Sequence, residues 1–282
     1  MQLVVEGIRI DVRSLGGIAT TIAFPEWSLC IDLGVVTQAA LRCDTVAFTH
    51  AHADHVSGLN QFLGVRRLYG MRPPRLITSA AIAGPMQRLV DAMGELQGRP
   101  FESVVEGVEP DGEIEVGRGL RLRPFPVVHQ EHAVGWSLVR RVQKLRPAYV
   151  GLPGPEIARL KADDSVELFD PIDDPLIAVT GDTQAEGLDL SHPWVRRARV
   201  LMIETTFLDD ERRDSNAAKV GKHVHLDDLP AILAGVEARA VVLYHVSQVY
   251  RPAEVESAIR GRIPEAWRNR VHVVVPGDDE RL

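Results

Sequence analysis

The sequence predicts a layered α/β domain, and three observations support that class. Short apolar runs typical of buried strands recur from end to end, and segments with helical spacing separate several of them. No internal repeat or low-complexity tract interrupts the pattern. No stretch has the composition of a linker that would divide the chain. We therefore expect residues 1–282 to form one domain.

The amino-terminal third is predicted to consist of short strands joined by turns. Residues 3–12 alternate loosely, and residues 18–24 and 29–33 have β-like composition on either side of a turn at Pro25–Trp27. Residues 45–48 form a fully apolar run that ends in a histidine-rich segment. A buried strand that delivers a functional loop at its carboxyl end explains this order.

The remaining two thirds alternate between helical and strand-like segments. Residues 80–94 carry apolar side chains at helical spacing, and residues 104–116 and 120–128 are strand-like. Further buried-strand runs follow at residues 176–180, 200–203, 240–244 and 271–275. Helices predicted at about residues 226–236 and 252–260 separate the last three of these strands.

Composition excludes several classes of protein. The chain has 282 residues, of which 45% are hydrophobic, and a chain of this length buries about three quarters of the surface that its unfolded form exposes. No apolar run approaches the ~20 residues of a membrane span, and the amino terminus lacks the basic region of a signal peptide. Two cysteines, Cys30 and Cys43, cannot form a disulfide framework. We expect a cytoplasmic protein with free, buried thiols.

Charge is unevenly distributed along the chain. The net charge of −7 argues against a dedicated nucleic-acid coat protein but leaves room for a local basic patch. Residues 140–161 hold six basic side chains against Glu156 alone, whereas residues 163–174 hold six acidic side chains and no basic one. The same region is rich in proline and has little periodicity. It predicts a protruding arm at about residues 141–175, and a plain solvated loop is the alternative.

The sharpest signal is a cluster of histidines directly after the strand at residues 45–48. His50, His52, Asp54 and His55 place three imidazoles and a carboxylate within six residues. Imidazole nitrogen and carboxylate oxygen form the usual ligand set of zinc in hydrolytic sites. In an extended backbone His50 and His52 point to the same side, and a turn into a helix would direct the next pair to a neighbouring position. Surface histidines in a loop are the alternative interpretation.

This segment resembles the HxHxDH signature of the metallo-β-lactamase superfamily. The resemblance implies a four-layer αββα sandwich with a two-metal site at the edge between its halves. It also implies later ligands, and the sequence offers His129, Asp182 and His245, each after a strand-like run. By similarity, the ligands of one zinc ion would be His50, His52 and His129, those of the second Asp54, His55 and His245, and the bridge Asp182. Manganese or iron could replace zinc at such ligands.

A two-metal site of this kind supplies hydrolytic chemistry without a serine or cysteine nucleophile. Two divalent cations about 3.5–4 Å apart can share one hydroxide and lower its pKa toward neutrality. The cations also stabilise the charge that develops on oxygen. Phosphodiesters, esters and amides are substrates for such a nucleophile. We count Asp54 among the catalytic residues because loss of the second metal is expected to remove most activity.

Further motifs resemble those of the ribonuclease Z family in its short plant-type form. Residues 129–136 resemble a His-x5-Gly-Tyr element, residues 181–183 match Gly-Asp-Thr, and residues 203–207 resemble a (His/Glu)-Glu-Ala-Thr-Phe element. Similar elements cover residues 16–34, 221–229 and 245–250. The resemblance spans nearly the full chain and implies endonucleolytic removal of 3′ trailers from precursor tRNA. It also implies a homodimer in which the arm of one subunit serves the active site of the other.

The same resemblance implies a proton donor. In the family, the histidine equivalent to His223 pairs with a carboxylate equivalent to Glu204 and protonates the departing 3′ oxygen. A carboxylate holds the imidazole tautomer and raises its pKa, so that a proton is available near neutral pH. His225 is the second histidine that could fill this role, and helix capping is its simpler interpretation. His132 competes with His129 as a ligand, and the spacing of the family motif favours His129.

The basic, proline-rich stretch resembles the flexible arm by which ribonuclease Z binds tRNA. Gly154 and Pro155 are similar to the Gly-Pro element of that arm. Contacts between basic side chains and phosphates would be independent of nucleotide sequence and sensitive to salt. The substrate-binding residues that the resemblance implies are Lys144, Arg146, Gly154, Pro155, Arg159, Lys161 and Ser247.

Three departures from the family pattern keep other functions open. Residues 14–20 contain no basic side chain where many members carry one, Val249 stands where arginine is common, and Lys222 replaces the glycine before the family histidine. A hydrolase of small phosphodiesters, sulfate esters or lactones is therefore the second hypothesis. A catalytically inactive binding or scaffold protein on the same fold is the third.

Overall fold

Two seven-stranded mixed sheets form the centre of the protein. The computed structural model describes residues 1–163, 165–209, 215–275 and 277. The first sheet holds its strands in chain order: β1 (Gln2–Val5), β2 (Ile8–Leu15), β3 (Ala19–Phe24), β4 (Leu29–Leu33), β5 (Thr45–Ala47), β6 (Arg75–Ser79) and β7 (Val105–Val108). The second sheet is ordered in the same way: β8 (Ile114–Gly117), β9 (Leu120–Pro126), β10 (Val134–Leu145), β11 (Phe169–Val179), β12 (Val200–Glu204), β13 (Ala240–Tyr244) and β14 (Val271–Val273).

The two sheets repeat one design. In the first sheet, neighbours from β1 to β4 pair antiparallel and neighbours from β4 to β7 pair parallel. In the second sheet, neighbours from β8 to β11 pair antiparallel and neighbours from β11 to β14 pair parallel. The carboxyl ends of parallel strands lie at one edge of a sheet, which is where binding sites of such sheets form.

Helices cover the outer face of each sheet. The α-helices are α1 (Gln38–Leu41), α2 (Ala53–Val56), α3 (Leu59–Leu68), α4 (Ala80–Leu96), α5 (Gly154–Lys161), α6 (Pro193–Arg196), α7 (Ser215–Gly221), α8 (Leu229–Gly235) and α9 (Pro252–Arg262). On the first sheet, α3 and α4 bury Phe62 and Met86 against Phe48. On the second sheet, α8 and α9 bury Leu233 and Ile259 in a separate cluster.

A third core joins the two sheets face to face. Ile22 and Ile77 of the first sheet belong to one buried cluster with Trp136 and Met202 of the second. The indole N–H of Trp136 also donates a 2.9 Å hydrogen bond to the carbonyl of Phe48 and so connects the sheets directly. The succession of helices, sheet, sheet and helices confirms the predicted four-layer αββα sandwich. The single-domain organisation of residues 1–282 stays a prediction, supported by this shared core.

Most predicted elements form with small shifts at their ends. The helix predicted at residues 80–94 is α4, and the predicted strand at residues 45–48 is β5. The strand-like segment at residues 104–116 divides into β7 and β8, because a Pro-Asp-Gly turn at residues 110–112 separates them. The helix predicted at residues 226–236 begins with a single 3-10 turn, Leu226–Asp228, before α8.

The proline-rich stretch, predicted as a protruding loop or arm, is a β-hairpin with a helix at its tip. β10 and β11 pair along most of their length, as far as Leu145 and Phe169, and α5 lies between them. Pro155 stands in the first turn of α5, where its missing N–H leaves no hydrogen bond unmade. We call residues 141–175 the arm. It projects from the sheet edge opposite to the carboxyl ends of the parallel strands.

The opposite charges of the arm pair across the hairpin. Arg141 donates to Asp173 at 2.8 Å, and Arg146 donates to Asp170 at 2.7 Å. A further ion pair joins Arg146 to Glu167. The basic and acidic blocks that look separate in the sequence therefore neutralise each other in part.

Two other predictions concern the cysteines and the membrane. Cys30 and Cys43 are free and buried, as expected. Within residues 1–163, 165–209, 215–275 and 277, no helix combines the length and apolar character that crossing a membrane requires.

Candidate functional site

The predicted metal ligands converge at the carboxyl ends of strands from both sheets. His50 and His52 follow β5, and α2, which begins directly after them, carries Asp54 and His55. The second sheet contributes three more: His129 after β9, Asp182 after β11 and His245 after β13. Donor atoms of all seven side chains fall into two groups of closely spaced atoms that could each hold a metal ion.

The first group consists of donor atoms from His50, His52, His129 and Asp182. The Nδ1 atom of His52 lies 3.1 Å from the Nε2 atoms of both His50 and His129. The Oδ2 atom of Asp182 lies 3.7 Å from each of the same two Nε2 atoms. The group has the composition predicted for one metal ion.

The second group consists of donor atoms from Asp54, His55, His245 and the same Asp182. The Nε2 atom of His245 lies 3.3 Å from His55 Nε2 and 3.3 Å from Asp54 Oδ2. The Oδ1 atom of Asp182 lies 3.3 Å from His55 Nε2 and 3.4 Å from His245 Nε2. Asp182 therefore directs one carboxylate oxygen to each group, as a bridging ligand does.

The spacing of the donor atoms fits zinc-sized cations. A tetrahedral zinc ion with bonds of about 2.0–2.1 Å holds its ligand atoms about 3.3 Å apart. The separations between 3.1 and 3.7 Å in the two groups bracket that spacing. Asp182 is buried, and its Oδ1 atom has no hydrogen-bond partner within the described residues. A buried carboxylate oxygen without a donor is unfavourable unless a cation binds it.

Burial favours the neutral imidazoles that metal binding requires. It lowers the pKa of His50 to about 2, and it also lowers the pKa values of His52 and His129. Burial would raise the pKa of Asp54, but the hydrogen bond with His245 and the nearby His55 hold it below its ordinary value. At neutral pH the first group therefore presents unprotonated nitrogen atoms, and Asp54 presents a carboxylate.

Asp32 is a supporting residue that the sequence analysis did not single out. It is fully buried in β4, where its Oδ2 atom accepts 2.8 Å hydrogen bonds from His55 Nδ1 and Thr49 Oγ1. Its Oδ1 atom accepts a third from the Thr49 amide. A carboxylate on Nδ1 directs the Nε2 lone pair of His55 toward the metal group. Its sequence signals were a single acidic residue inside an apolar strand and its place in the family-like element at residues 16–34.

Two further predicted ligands, His245 and His129, are oriented by groups outside the two metal groups. The hydroxyl of Thr206 lies 3.0 Å from His245 Nδ1. The backbone carbonyl of Lys222 accepts from His129 Nδ1 at 3.1 Å. In both cases the contact occupies Nδ1 and leaves Nε2 for the ligand position.

Glu204 and His223 form a hydrogen-bonded pair beside the metal groups. Glu204 is fully buried at the end of β12 and accepts from His223 Nδ1 at 2.9 Å. The amides of Thr183 and Thr206 and the Thr206 hydroxyl also donate to this carboxylate. Burial alone would lower the pKa of His223, but the negative charge of Glu204 raises it to about 9. The ring centroid of His223 lies only 4.9 Å from that of His129.

An open cavity of about 400 Å³ gives access to both metal groups and to the pair. The predicted Ser247 lines this cavity together with His52, Asp54, Asp182, Thr206, Phe207, His223 and His245. The loop at residues 16–17 forms part of the rim, and the amide of Gly17 donates to Asp54 Oδ2 at 3.0 Å. A Cβ atom on Gly16 would lie 2.8 Å from the His245 carbonyl oxygen, so glycine is what permits this close approach.

The two alternative histidines lie outside the metal groups. The Nδ1 atom of His225 accepts a 3.2 Å hydrogen bond from the Asp227 amide at the start of the 3-10 turn, which matches the capping interpretation. The His132 side chain is exposed and lies beside Glu131. The arrangement favours His129 over His132 as the ligand.

The predicted substrate-binding residues of the arm are remote from the metal groups of the same chain. Lys144 lies on β10, Arg146 follows it, and Gly154, Pro155, Arg159 and Lys161 lie on α5. From Phe169 to Asp182 the nearly extended chain covers roughly 40 Å at about 3.3 Å per residue. Their role in substrate binding stays a prediction, and Arg146 is already paired with two carboxylates of the arm.

Known proteins resemble this chain in sequence and in fold. The profile of the Beta-lactamase superfamily domain matches residues 35–150. The tRNase Z TRZ1 of Arabidopsis thaliana is 31% identical over 274 residues, which cover 97% of each chain. The structure of human tRNase Z, short form, has a TM-score of 0.63 and 16% identity, covering 95% of this chain and 96% of the human chain. The metallo-β-lactamase fold protein YhfI from Bacillus subtilis has a TM-score of 0.64 and 13% identity, covering 96% and 97%.

These comparisons confirm the resemblance predicted from the motifs. Because their sequence identities are low, the solved structures establish the metallo-β-lactamase fold and no more. The identity with the Arabidopsis protein extends over nearly the full length of both chains and establishes the family. The chain belongs to the tRNase Z family of metal-dependent hydrolases.

Proposed function

We propose that this protein is a zinc-dependent endoribonuclease that removes 3′ trailers from precursor tRNA. The observation that carries the proposal is the position of His223, held by the buried Glu204, on the cavity that also exposes both metal groups. A metal site alone serves many hydrolases, whereas an acid held beside it serves a reaction with a poor leaving group. The tRNase Z names of two relatives from Arabidopsis thaliana support the same substrate.

The chain's own residues divide the work of the reaction. Two cations, when bound, would supply an activated nucleophile and would stabilise the charge that develops on the phosphate. His50, His52, His129, Asp54, His55 and His245 would hold them, with Asp182 as the bridge. His223 donates its Nε2 proton to the departing 3′ oxygen, since an alkoxide is a poor leaving group. Glu204 holds the Nδ1 proton and so fixes the orientation and charge of the imidazole.

We propose two zinc ions because the ligands are imidazoles and carboxylates at tetrahedral spacing. Manganese or iron would be accepted by the same donors, so the metal found in the cell depends also on supply. Metal analysis of protein purified without added metal tests the number: two ions per chain are expected, and one ion would contradict a bridging role for Asp182.

We propose further that the protein acts as a homodimer in which each arm serves the partner's active site. The arm projects from the sheet edge opposite to the metal groups, roughly 40 Å away along β11 at about 3.3 Å per residue. A substrate gripped by the arm would therefore have to span that distance within one chain. A partner with the opposite orientation would place the arm near the site directly.

Complementation tests this arrangement. One variant carries neutral substitutions at Arg159 and Lys161, and the other carries His223→Ala with an intact arm. Random mixing should restore about a quarter of the wild-type sites, because half of the dimers are mixed and each has one complete site. Activity no higher than the sum of the separate variants would contradict arms that act on the partner, and a monomer by light scattering would contradict the dimer.

The main experiment uses precursor tRNA with a labelled 3′ trailer. Chelated protein and Asp54→Ala serve as controls. Cleavage just after the discriminator nucleotide, abolished in both controls, is the expected result. Absence of cleavage by protein that holds two metal ions would overturn the tRNA substrate and leave the hydrolase.

One observation favours the second hypothesis, a hydrolase of small phosphodiesters, sulfate esters or lactones. Among the described residues, no lysine or arginine lines the 400 Å³ cavity. Salt separates the two functions. Affinity for a substrate with several phosphate contacts falls steeply between low and physiological salt, whereas turnover of a small ester barely changes. The complete set of seven ligands leaves the inactive scaffold protein without a supporting observation.

The same proposal covers the compartment. Two buried free thiols, Cys30 and Cys43, suit a reducing environment, and we place the enzyme in the cytoplasm. Cell fractionation tests this, and recovery from an oxidising compartment would contradict it.

A further inference from the structure

Lys222 has an unusual backbone conformation between α7 and His223. Its φ angle is +56°, in the left-handed region that disfavours any residue with a Cβ atom. Its amide donates to the Lys219 carbonyl, and the next amide, that of His223, donates to the Ala218 carbonyl. This is the geometry of a helix carboxyl terminus, where glycine is the common residue. A lysine at this position therefore needs a compensating interaction.

The compensating interaction is a pair of reciprocal hydrogen bonds with His129. The ammonium of Lys222 donates to the His129 backbone carbonyl at 2.8 Å. The Lys222 carbonyl accepts from the His129 Nδ1 at 3.1 Å. One residue thus contacts both the main chain and the imidazole of a predicted metal ligand. The contact also joins the loop after β9 to the end of α7, two segments 93 residues apart in the chain.

We propose that Lys222 is a positioning residue that clamps the metal ligand His129 to the proton donor His223. Its carbonyl holds the proton of His129 on Nδ1 and leaves Nε2 for the metal ion. Its ammonium fixes the main chain of the same loop. Since His223 is the next residue, the clamp also sets the distance between the acid and the metal groups. The part of the inference that concerns His223 as proton donor rests on the proposed function, and the part that concerns His129 as metal ligand does not.

The side chain of Lys222, and not its carbonyl alone, is what the inference requires at this position. Glycine would supply the same carbonyl in the same conformation without strain. Lys222 is exposed, so packing of its side chain does not offset the unfavourable backbone conformation. The ammonium contact does.

The experiment compares Lys222→Gly, Lys222→Ala and Lys222→Arg in the full-length protein. Zinc affinity is measured by competition with a chromogenic chelator, and kcat and KM are measured on precursor tRNA. Lys219→Ala is the matched control, because Lys219 is an exposed cation in the last turn of α7, three residues before Lys222. Circular dichroism establishes that each variant is folded.

Loss of the clamp should weaken the site that contains His129. Lys222→Gly and Lys222→Ala should reduce zinc affinity about tenfold, the lower end of the effect of a lost ligand-orienting contact. They should also lower kcat about tenfold with KM nearly unchanged, because His223 loses its alignment. Lys222→Arg should retain most of both, since the guanidinium also donates to a carbonyl. Lys219→Ala should behave as the unaltered protein.

Three outcomes would overturn the clamp. The first is a Lys222→Gly variant whose zinc affinity and kcat equal those of the unaltered protein. A raised KM with unchanged kcat and zinc affinity would make Lys222 a substrate contact instead. An equal effect of Lys219→Ala would reduce the role to general charge. Zinc affinity does not depend on the substrate, so reduced affinity in a protein that cleaves no tRNA would keep the clamp and reject only the proposed function.

Discussion

Replacing His223 with alanine separates proton donation from metal binding. A positioned general acid contributes about 10² to 10⁴ in rate, which corresponds to roughly 3–5 kcal/mol of transition-state stabilisation. The cost in folding should be smaller. Glu204 loses one donor but keeps three, from the Thr183 amide, the Thr206 amide and the Thr206 hydroxyl. One lost hydrogen bond to a charged group lowers the free energy of unfolding by about 1.5–3 kcal/mol.

The leaving group supplies the decisive assay. Cleavage of RNA releases an alkoxide oxygen that requires a proton, whereas bis(4-nitrophenyl) phosphate releases an acidic phenol that leaves unprotonated. His223→Ala should therefore slow tRNA cleavage by the full factor and slow the phenol ester far less. Zinc content should stay at the value of the unaltered protein. His225→Ala is the control, because that histidine caps a 3-10 turn and should leave both rates intact.

Loss of zinc would refute this reasoning. The donor atoms of His223 lie close to those of Glu204 and His245, so these three side chains form a third group that could hold a cation. If His223→Ala lost metal, or if both substrates slowed equally, His223 would be a ligand rather than an acid.

Three further predictions follow from the site and the arm. Asp54→Ala should lose one metal ion and most activity, whereas Asp182→Asn should lose both ions, because its two oxygens face different groups; metal analysis distinguishes the patterns. Asp32→Asn should reduce zinc affinity about 10- to 100-fold through the imidazole that it orients, and chelator competition measures it; unchanged affinity would contradict that role. A hydrogen bond from Arg141 lowers the pKa of Asp173, so this pair stabilises the fold above the ordinary aspartate pKa and loses its contribution as the pH falls through the lowered value. When the pH is lowered below about 4, the melting temperature of Arg141→Ala should therefore fall by less than that of the unaltered protein, and equal falls would contradict this.

The positions of the metal ligands could be predicted from the sequence for a physical reason. Carboxyl ends of parallel strands share one sheet edge, so histidines and aspartates that directly follow apolar runs come together in space. Asp182 and His245 satisfied that condition, and His129 follows β9, which pairs antiparallel with its neighbours but ends at the same edge of the sheet. The two residues that support these ligands do not come directly after a strand. Asp32 lies inside a strand, and Lys222 stood out only as a departure from the family pattern, because its contacts with His129 depend on the fold.

The arm shows a different limit of the sequence. Its basic and acidic blocks looked separate because ion pairs across a hairpin depend on register, and register depends on where the turn lies. The pairing of Arg141 with Asp173 could therefore not be read before the strands were known. The helix α5 could have been predicted, since Pro155 and Glu156 in its first turn and Lys161 in its last are ordinary helix signals.

The origin of the proposed ligands in both sheets would give bound metal ions a part in folding. Four of these residues follow a strand of the first sheet and three follow strands of the second, so each bound ion would join the two halves of the sandwich. An ion at a hundredfold excess over its dissociation constant adds about 2.7 kcal/mol to the free energy of unfolding. Metal supply would then affect the stability of the folded enzyme as well as its rate, and we expect a metal-starved cell to hold less of the protein as well as a less active form of it.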